Sequence, residues 1–211
     1  MAWDSSTLRS TSSSRRLSRP GCGLILTLVV LAWLVEVADQ VFHFFGFPLD
    51  ALGIWPRQPR GLVGVITSPW LHGNWLHLIN NTVAFVGLGF FVLVAEGRRF
   101  LATTFWLVLL SGLGTWLIGR GGSVHIGASG LIYGYFGYLL MRAWTERKPA
   151  WIAAGIFIAL VYGGMVWGVL PSEAGVSWEA HLCGFVGGLW LGRNHGLLSH
   201  SRGKWGELDS L

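Results

Sequence analysis

Charge is scarce in this chain of 211 residues: 12% are Asp, Glu, Lys or Arg, whereas 52% are hydrophobic. That imbalance, with thirteen tryptophans and a mean hydropathy of +0.54, excludes an ordinary solvated domain and points to a polytopic membrane protein with room for about six helices of roughly 20 residues each. Cysteine is nearly absent. Cys22 and Cys183 have neither metal-ligand spacing nor a disulfide framework, so both read as packing residues. No H-E-x-x-H pattern occurs and no carboxylate stands beside His72, His77 and His181, which argues against a hydrolytic zinc site. The formal net charge of +5 is not a nucleic-acid footprint, because the arginines fall between apolar runs, where they report orientation in the bilayer.

Residues 1–21 are rich in Ser and Arg and predict a flexible basic cytoplasmic tail. The apolar run from about Gly23 to Phe47 is too long for a signal-peptide core and reads as a first transmembrane helix. Glu36, Asp39 and His43 interrupt it on one face, turned toward protein or the outer interface. Pro48 to His72 is a long apolar loop lying partly in the interface. Further helices are expected over about Asn74–Val94, Phe100–Ile118, Ser129–Trp144 and Trp151–Leu170. A sixth, over Ala180–Gly192, needs Val176–Glu179 to reach a full span. Its Ala180, Gly184, Gly188 and Gly192 recur every four residues, a small-residue face that pairs with Gly130 and Gly134 of the fourth helix.

Twelve of the basic residues lie on the side of the N-terminus, and only Arg57, Arg60 and Arg120 lie opposite. Both termini are therefore expected in the cytoplasm, with the second, fourth and sixth helices starting at the outer face. This brings His77 and Asn81, Ser129, and His181 to one shallow depth. Ser129 sits in Gly127-Ala128-Ser129-Gly130 at the mouth of a helix, where missing side chains admit a substrate carbonyl and the helix N-terminus favours negative charge. The chemistry open to such a cluster is serine hydrolysis. His181 is the best-placed base for Ser129, and Asn81, His77 and the Ser129 N–H are candidate oxyanion donors. No acid occupies an obvious orienting position, so a Ser-His dyad is expected, with Tyr133 holding the imidazole by stacking. His125 reads as an exposed loop residue, and Glu173 and Glu179 as solvated charges.

These elements resemble the rhomboid family of intramembrane serine proteases: His72, His77 and Asn81, then Gly127-Ala128-Ser129-Gly130 with Tyr133, then Ala180-His181-Leu182-Cys183-Gly184 with its glycine repeat, in the family's order. The resemblance covers about Gly23 to Gly192. It implies an all-α, six-transmembrane-helix bundle, with Ser129 as nucleophile, His181 as base, Asn81 and His77 as oxyanion donors, and Gly127 and Tyr133 in support. It further implies that the partners are transmembrane protein substrates within membrane lipids, and that no cofactor is needed. Where many members carry a Trp-Arg pair in the first outer loop, this sequence has Val63-Gly64.

The domain organisation expected is a tail over 1–21, the membrane domain over 22–193 and a cytoplasmic tail over 194–211. The preference for Arg over Lys suggests a bacterial plasma membrane. Two other classes compete: a rhomboid-like protein that binds membrane clients without cutting them, and a small transporter. The second would spread polar residues through the full membrane depth, whereas here they gather at one end.

Overall fold

The computed structural model describes residues 21–171 and 175–198. The two expected tails, apart from their innermost residues, and Glu173 lie outside the described residues. Six long helices form the bundle: α1 (Gly23–Phe44), α2 (Trp75–Glu96), α3 (Phe100–Ile118), α4 (Ser129–Glu146), α5 (Pro149–Tyr162) and α6 (Trp178–Arg193).

Local chemistry sets the boundaries. Asn74 caps α2 by accepting the His77 N–H at 2.9 Å, which fixes the turn that carries His77. Gly97 (φ +54°) ends α2, and the tight turn Gly97–Arg99 leads directly into α3. Pro149 opens α5 in its first turn, where a missing N–H costs no hydrogen bond. Two boundaries differ from the sequence reading by three residues or more. α1 stops at Phe44, before Gly46 at φ +84°. α5 stops at Tyr162, because Gly163-Gly164 weakens the helix, and the chain continues as a 3₁₀ strap, Gly163–Val169.

α4 is the central helix, buried without a break from Gly130 to Leu139. Its most extensive contact is with α6, and α2, α3 and α5 also pack on it. Glycine makes the α4–α6 approach possible: a Cβ on Gly184 would run into the Gly130 carbonyl, one on Gly188 into the Gly134 carbonyl, and one on Gly192 would lie 2.7 Å from the Tyr138 carbonyl. The peripheral helices are built differently. α1 buries only Ile25, Glu36 and Asp39, and α5 only Gly155 and Ile158, leaving apolar side chains such as Leu26, Leu34, Phe157 and Leu160 exposed as a lipid-facing belt. Length and hydropathy alone single out residues 23–44, 75–118 and 149–169 as candidate spans. α6 is only 16 residues long, and α4 is less apolar because, enclosed by protein, it carries Tyr133, Tyr135, Tyr138 and Arg142.

The loop from Pro48 to His72 folds into short helical turns and docks on the bundle without a Trp-Arg pair. Arg57 donates to the Leu117 and Gly119 carbonyls at the end of α3 (3.0 and 2.9 Å), and Arg60 stacks over Trp55. Ile54 and His125 exchange two backbone hydrogen bonds of 2.9 Å, which joins this loop to the segment ahead of Ser129. Asp39 at the end of α1 accepts the Leu49 and Asp50 N–H groups, so the buried acid of the first helix anchors the loop. His43 is exposed, as is Cys22, contrary to its reading as a packing residue. At the opposite end, the buried Arg142 pairs with Glu96 and Glu146 and lies over Trp151.

Two outcomes follow from this packing. Gly188→Ala should lower stability by about 1–3 kcal/mol, the usual cost of overpacking, in thermal unfolding of the detergent-solubilised protein. Asp50 is held up to about 6, from an ordinary 3.8, by burial first and the neighbouring Asp39 second. The folded state thus binds its proton more tightly, so this group's contribution to stability is lost as pH rises from about 4 to about 6 and is level above that. Asp50→Asn should lack that decline, so its melting temperature relative to the native protein should rise across the same interval.

Candidate active site

The N-terminal ends of α2, α4 and α6 meet at one end of the bundle around a cavity of about 770 Å³, lined among others by His77, Asn81, Ser129, Tyr133 and His181. Ser129 is the first residue of α4, and its N–H has no intrahelical acceptor. His181 lies in the first turns of α6. Because α4 and α6 touch through glycine, the two side chains face each other across the seam, with His181 Nε2 2.9 Å from Ser129 Oγ. The other ring nitrogen, Nδ1, lies 2.8 Å from the Gly168 carbonyl oxygen on the strap. Tyr133, one turn after Ser129, stacks on the imidazole with ring centroids 4.1 Å apart and planes 7° from parallel.

Gly127 adopts φ +110°, a conformation L side chains rarely take. A Cβ there would also lie 2.7 Å from His77 Nε2 and 3.4 Å from Asn81 Nδ2, so the missing side chain lets both α2 residues approach the backbone ahead of Ser129. The Gly127 N–H is already donated to the Ser68 carbonyl at 2.9 Å. Asn81 Nδ2 is buried and has no hydrogen-bond partner. All six candidate residues, Ser129, His181, Asn81, His77, Gly127 and Tyr133, thus gather at one place. Chemically, the arrangement offers a hydroxyl, a base in contact with it, and polar donors beside it.

Other residues hold this place together. His72 is buried, and burial followed by the adjacent His77 pushes it down to about 4. It is therefore neutral, and its Nε2 accepts the Ala128 N–H over a long 3.4 Å. His77 packs edge-on against it. Two expectations are corrected here. Glu179, read as a solvated charge, is 1% exposed, and its Oε1 accepts both the backbone N–H and the Nε–H of Arg120 (3.1 and 3.0 Å). His125, read as exposed, is buried, with Nδ1 2.5 Å from Ser177 Oγ and burial lowering its basicity. Both contacts stitch the loop ahead of Ser129 to the start of α6, and so fix the spacing of Ser129 and His181. Their partners lie more than fifty positions away, beyond the reach of any local pattern. The contact of Gly168 with His181 has no sequence signal for another reason: it is made by a carbonyl, which every residue has. Among the described residues, no three His, Cys, Asp or Glu side chains converge as a metal site requires.

Arg120→Ala should destabilise the protein by about 1–3 kcal/mol, because the buried Glu179 carboxylate keeps the backbone N–H of position 120 but loses its charged side-chain donor. Adding Glu179→Gln should recover part of that loss in the same unfolding assay.

Comparison with known proteins places this arrangement in context. The chain is 43% identical over 191 residues to an uncharacterized protein of Mycobacterium tuberculosis H37Rv, covering 85% of this chain and 78% of the relative. It is 27% identical over 180 residues to a Bacillus subtilis protein provisionally named a rhomboid protease, covering 77% and 86%. RHOMBOID-like protein 5 of Arabidopsis thaliana matches at 30% over 136 residues, 61% of this chain and 42% of that protein. The Rhomboid domain model matches residues 59–195, a span that holds the whole cavity and five of the six helices, and the chain is therefore a multi-pass membrane protein of the rhomboid family.

Proposed function

We propose that this protein is an intramembrane serine endopeptidase that hydrolyses peptide bonds in or near the outer end of transmembrane segments of other membrane proteins. The observation that carries the reading is the 2.9 Å contact of Ser129 Oγ with His181 Nε2 at the wall of an open cavity. A serine hydroxyl is a weak nucleophile until a base within hydrogen-bond reach removes its proton, and a neutral imidazole does so near neutral pH.

In the proposed reaction the Ser129 Oγ–H proton passes to His181 Nε2 as Oγ bonds to the scissile carbonyl carbon. The negative charge that develops on the carbonyl oxygen meets the Asn81 amide, a His77 ring N–H and the Ser129 backbone N–H. The unpaired Asn81 Nδ2 supports this role, since a buried donor left without a partner in the resting site is free to bond an arriving oxyanion. Collapse of the intermediate breaks the C–N bond, and the Nε2 proton leaves with the amine. Water then repeats the sequence on the acyl-enzyme. Gly127 keeps the approach open, and Tyr133 holds the imidazole plane.

A substrate helix shields its carbonyls in its own hydrogen bonds, so cleavage requires a segment rich in small or helix-breaking residues that unwinds at the site. The orientation supports the same reading: Arg98, Arg99, Arg147, Lys148 and Arg193 lie at the end remote from Ser129, which the positive-inside rule assigns to the cytoplasm of a bacterial plasma membrane.

The test is cleavage of a tagged single-span substrate by the protein in liposomes. Ser129→Ala and His181→Ala should abolish cleavage, and Asn81→Ala should reduce kcat by about 10²–10³-fold. A serine-reactive phosphonate should label native Ser129. A folded protein that neither cuts nor labels would instead be a client-binding member of the family.

A further inference from the structure

Resting on that reading, we propose that the backbone carbonyl of Gly168 is the positioning group of His181, filling the place that a carboxylate fills in a three-residue serine protease site. The two ring nitrogens have unequal partners. Nε2 faces a hydroxyl, which can donate or accept, whereas Nδ1 faces a carbonyl oxygen at 2.8 Å, which can only accept. If Nδ1 carried a lone pair, two acceptors would oppose each other at that distance in a buried place. The carbonyl therefore selects the tautomer with hydrogen on Nδ1 and leaves the Nε2 lone pair directed at the Ser129 hydroxyl. The other tautomer, with hydrogen on Nε2, could not accept that proton.

Glycine at position 168 is required by the same geometry. A Cβ there would run into the Tyr133 hydroxyl, would lie 3.1 Å from Tyr133 Cζ, and would lie 3.4 Å from His181 Nδ1. The carbonyl can reach the imidazole edge only because nothing projects toward the ring stacked on its face. Gly168 is the penultimate residue of the 3₁₀ strap, where carbonyls lack onward helical donors, so its oxygen is available.

During the reaction the same bond persists. When Ser129 Oγ–H breaks and the proton moves to Nε2, the imidazolium keeps its Nδ1–H on the Gly168 oxygen, whose partial negative charge stabilises the added positive charge. When Nε2–H passes to the leaving amine, the ring returns to the Nδ1–H tautomer ready for the deacylating water. The strap thus supplies a fixed dipole in place of an acid.

The experiment is ¹⁵N NMR of the full-length protein with ¹⁵N-labelled histidine in detergent micelles, with the His181 signals assigned by difference from His181→Gln. In the native protein at neutral pH, Nδ1 should appear protonated and Nε2 unprotonated. Gly168→Ala should give a mixture of tautomers and a fall in kcat of about tenfold, with KM within about twofold, on a fluorogenic transmembrane peptide with a Gly/Ala-rich outer end. The Cβ of that variant meets the Tyr133 hydroxyl, so Tyr133→Phe/Gly168→Ala should recover both the Nδ1–H tautomer and most of the rate relative to Tyr133→Phe alone. A native His181 protonated on Nε2 overturns the proposal. So does a Gly168→Ala protein that is slow yet keeps the native tautomer, which would make Gly168 a packing residue only. If Gly168→Ala fails to fold, the native spectrum and the double variant decide. The tautomer is read whether or not the protein cuts, so a native protein with Nδ1–H that neither cuts nor is labelled by the phosphonate rejects the protease reading and leaves the assignment of Gly168 intact.

Discussion

The contact on which the rest of this molecule depends is the backbone approach of α4 and α6. Gly130 and Gly134 on one helix meet Gly184 and Gly188 on the other so closely that a Cβ added to Gly184 or Gly188 would strike the facing carbonyl. In lipid there is no hydrophobic force to drive two apolar helices together, so association rests on this kind of close packing. The approach also sets the chemistry. Ser129 opens α4 and His181 sits in the first turns of α6, so the spacing of the backbones decides whether a hydroxyl and an imidazole touch.

Around that seam the helices divide by what surrounds them. α1 and α5 turn mainly apolar side chains to lipid, whereas α4 is enclosed by protein and can carry Tyr133, Tyr135, Tyr138 and Arg142. Several polar groups of the interior pair with one another: Tyr135 with Thr104, and Arg142 with Glu96, Glu146 and Tyr138. The loops then act as braces. Arg57 caps α3, Asp39 anchors the first loop, and Arg120 with Glu179 joins the segment before Ser129 to the helix that carries His181. An irregular segment beside a membrane must find such partners for its backbone and charges, because the bilayer supplies none.

Much of this was legible in the chain itself. The helix count follows from the apolar runs, and the α4–α6 pairing from the four-residue glycine period. The gathering of His77, Asn81, Ser129 and His181 follows once helices are taken to alternate direction. Three features were not legible, each for a physical reason. Gly163-Gly164 ended α5 eight residues early, since the apolar residues that follow look the same in a helix or in a strap. Glu179 looked like a solvated charge and His125 like an exposed loop residue because their partners, Arg120 and Ser177, are remote in sequence. The Gly168 carbonyl left no trace either, because every residue carries one.

Composition and periodicity by themselves determined that this chain crosses a membrane several times, which helices pair, and which side chains share a depth, because hydropathy and small-residue spacing act locally and leave a local trace. Tertiary structure alone decided which atoms meet. The 2.9 Å contact of Ser129 and His181, the burial of Glu179 under Arg120, and the Gly168 carbonyl at the back of the imidazole arise from segments far apart in the chain, brought together only when the helices pack. A carbonyl has no side-chain signature, so the group that orients His181 could appear only in the folded molecule.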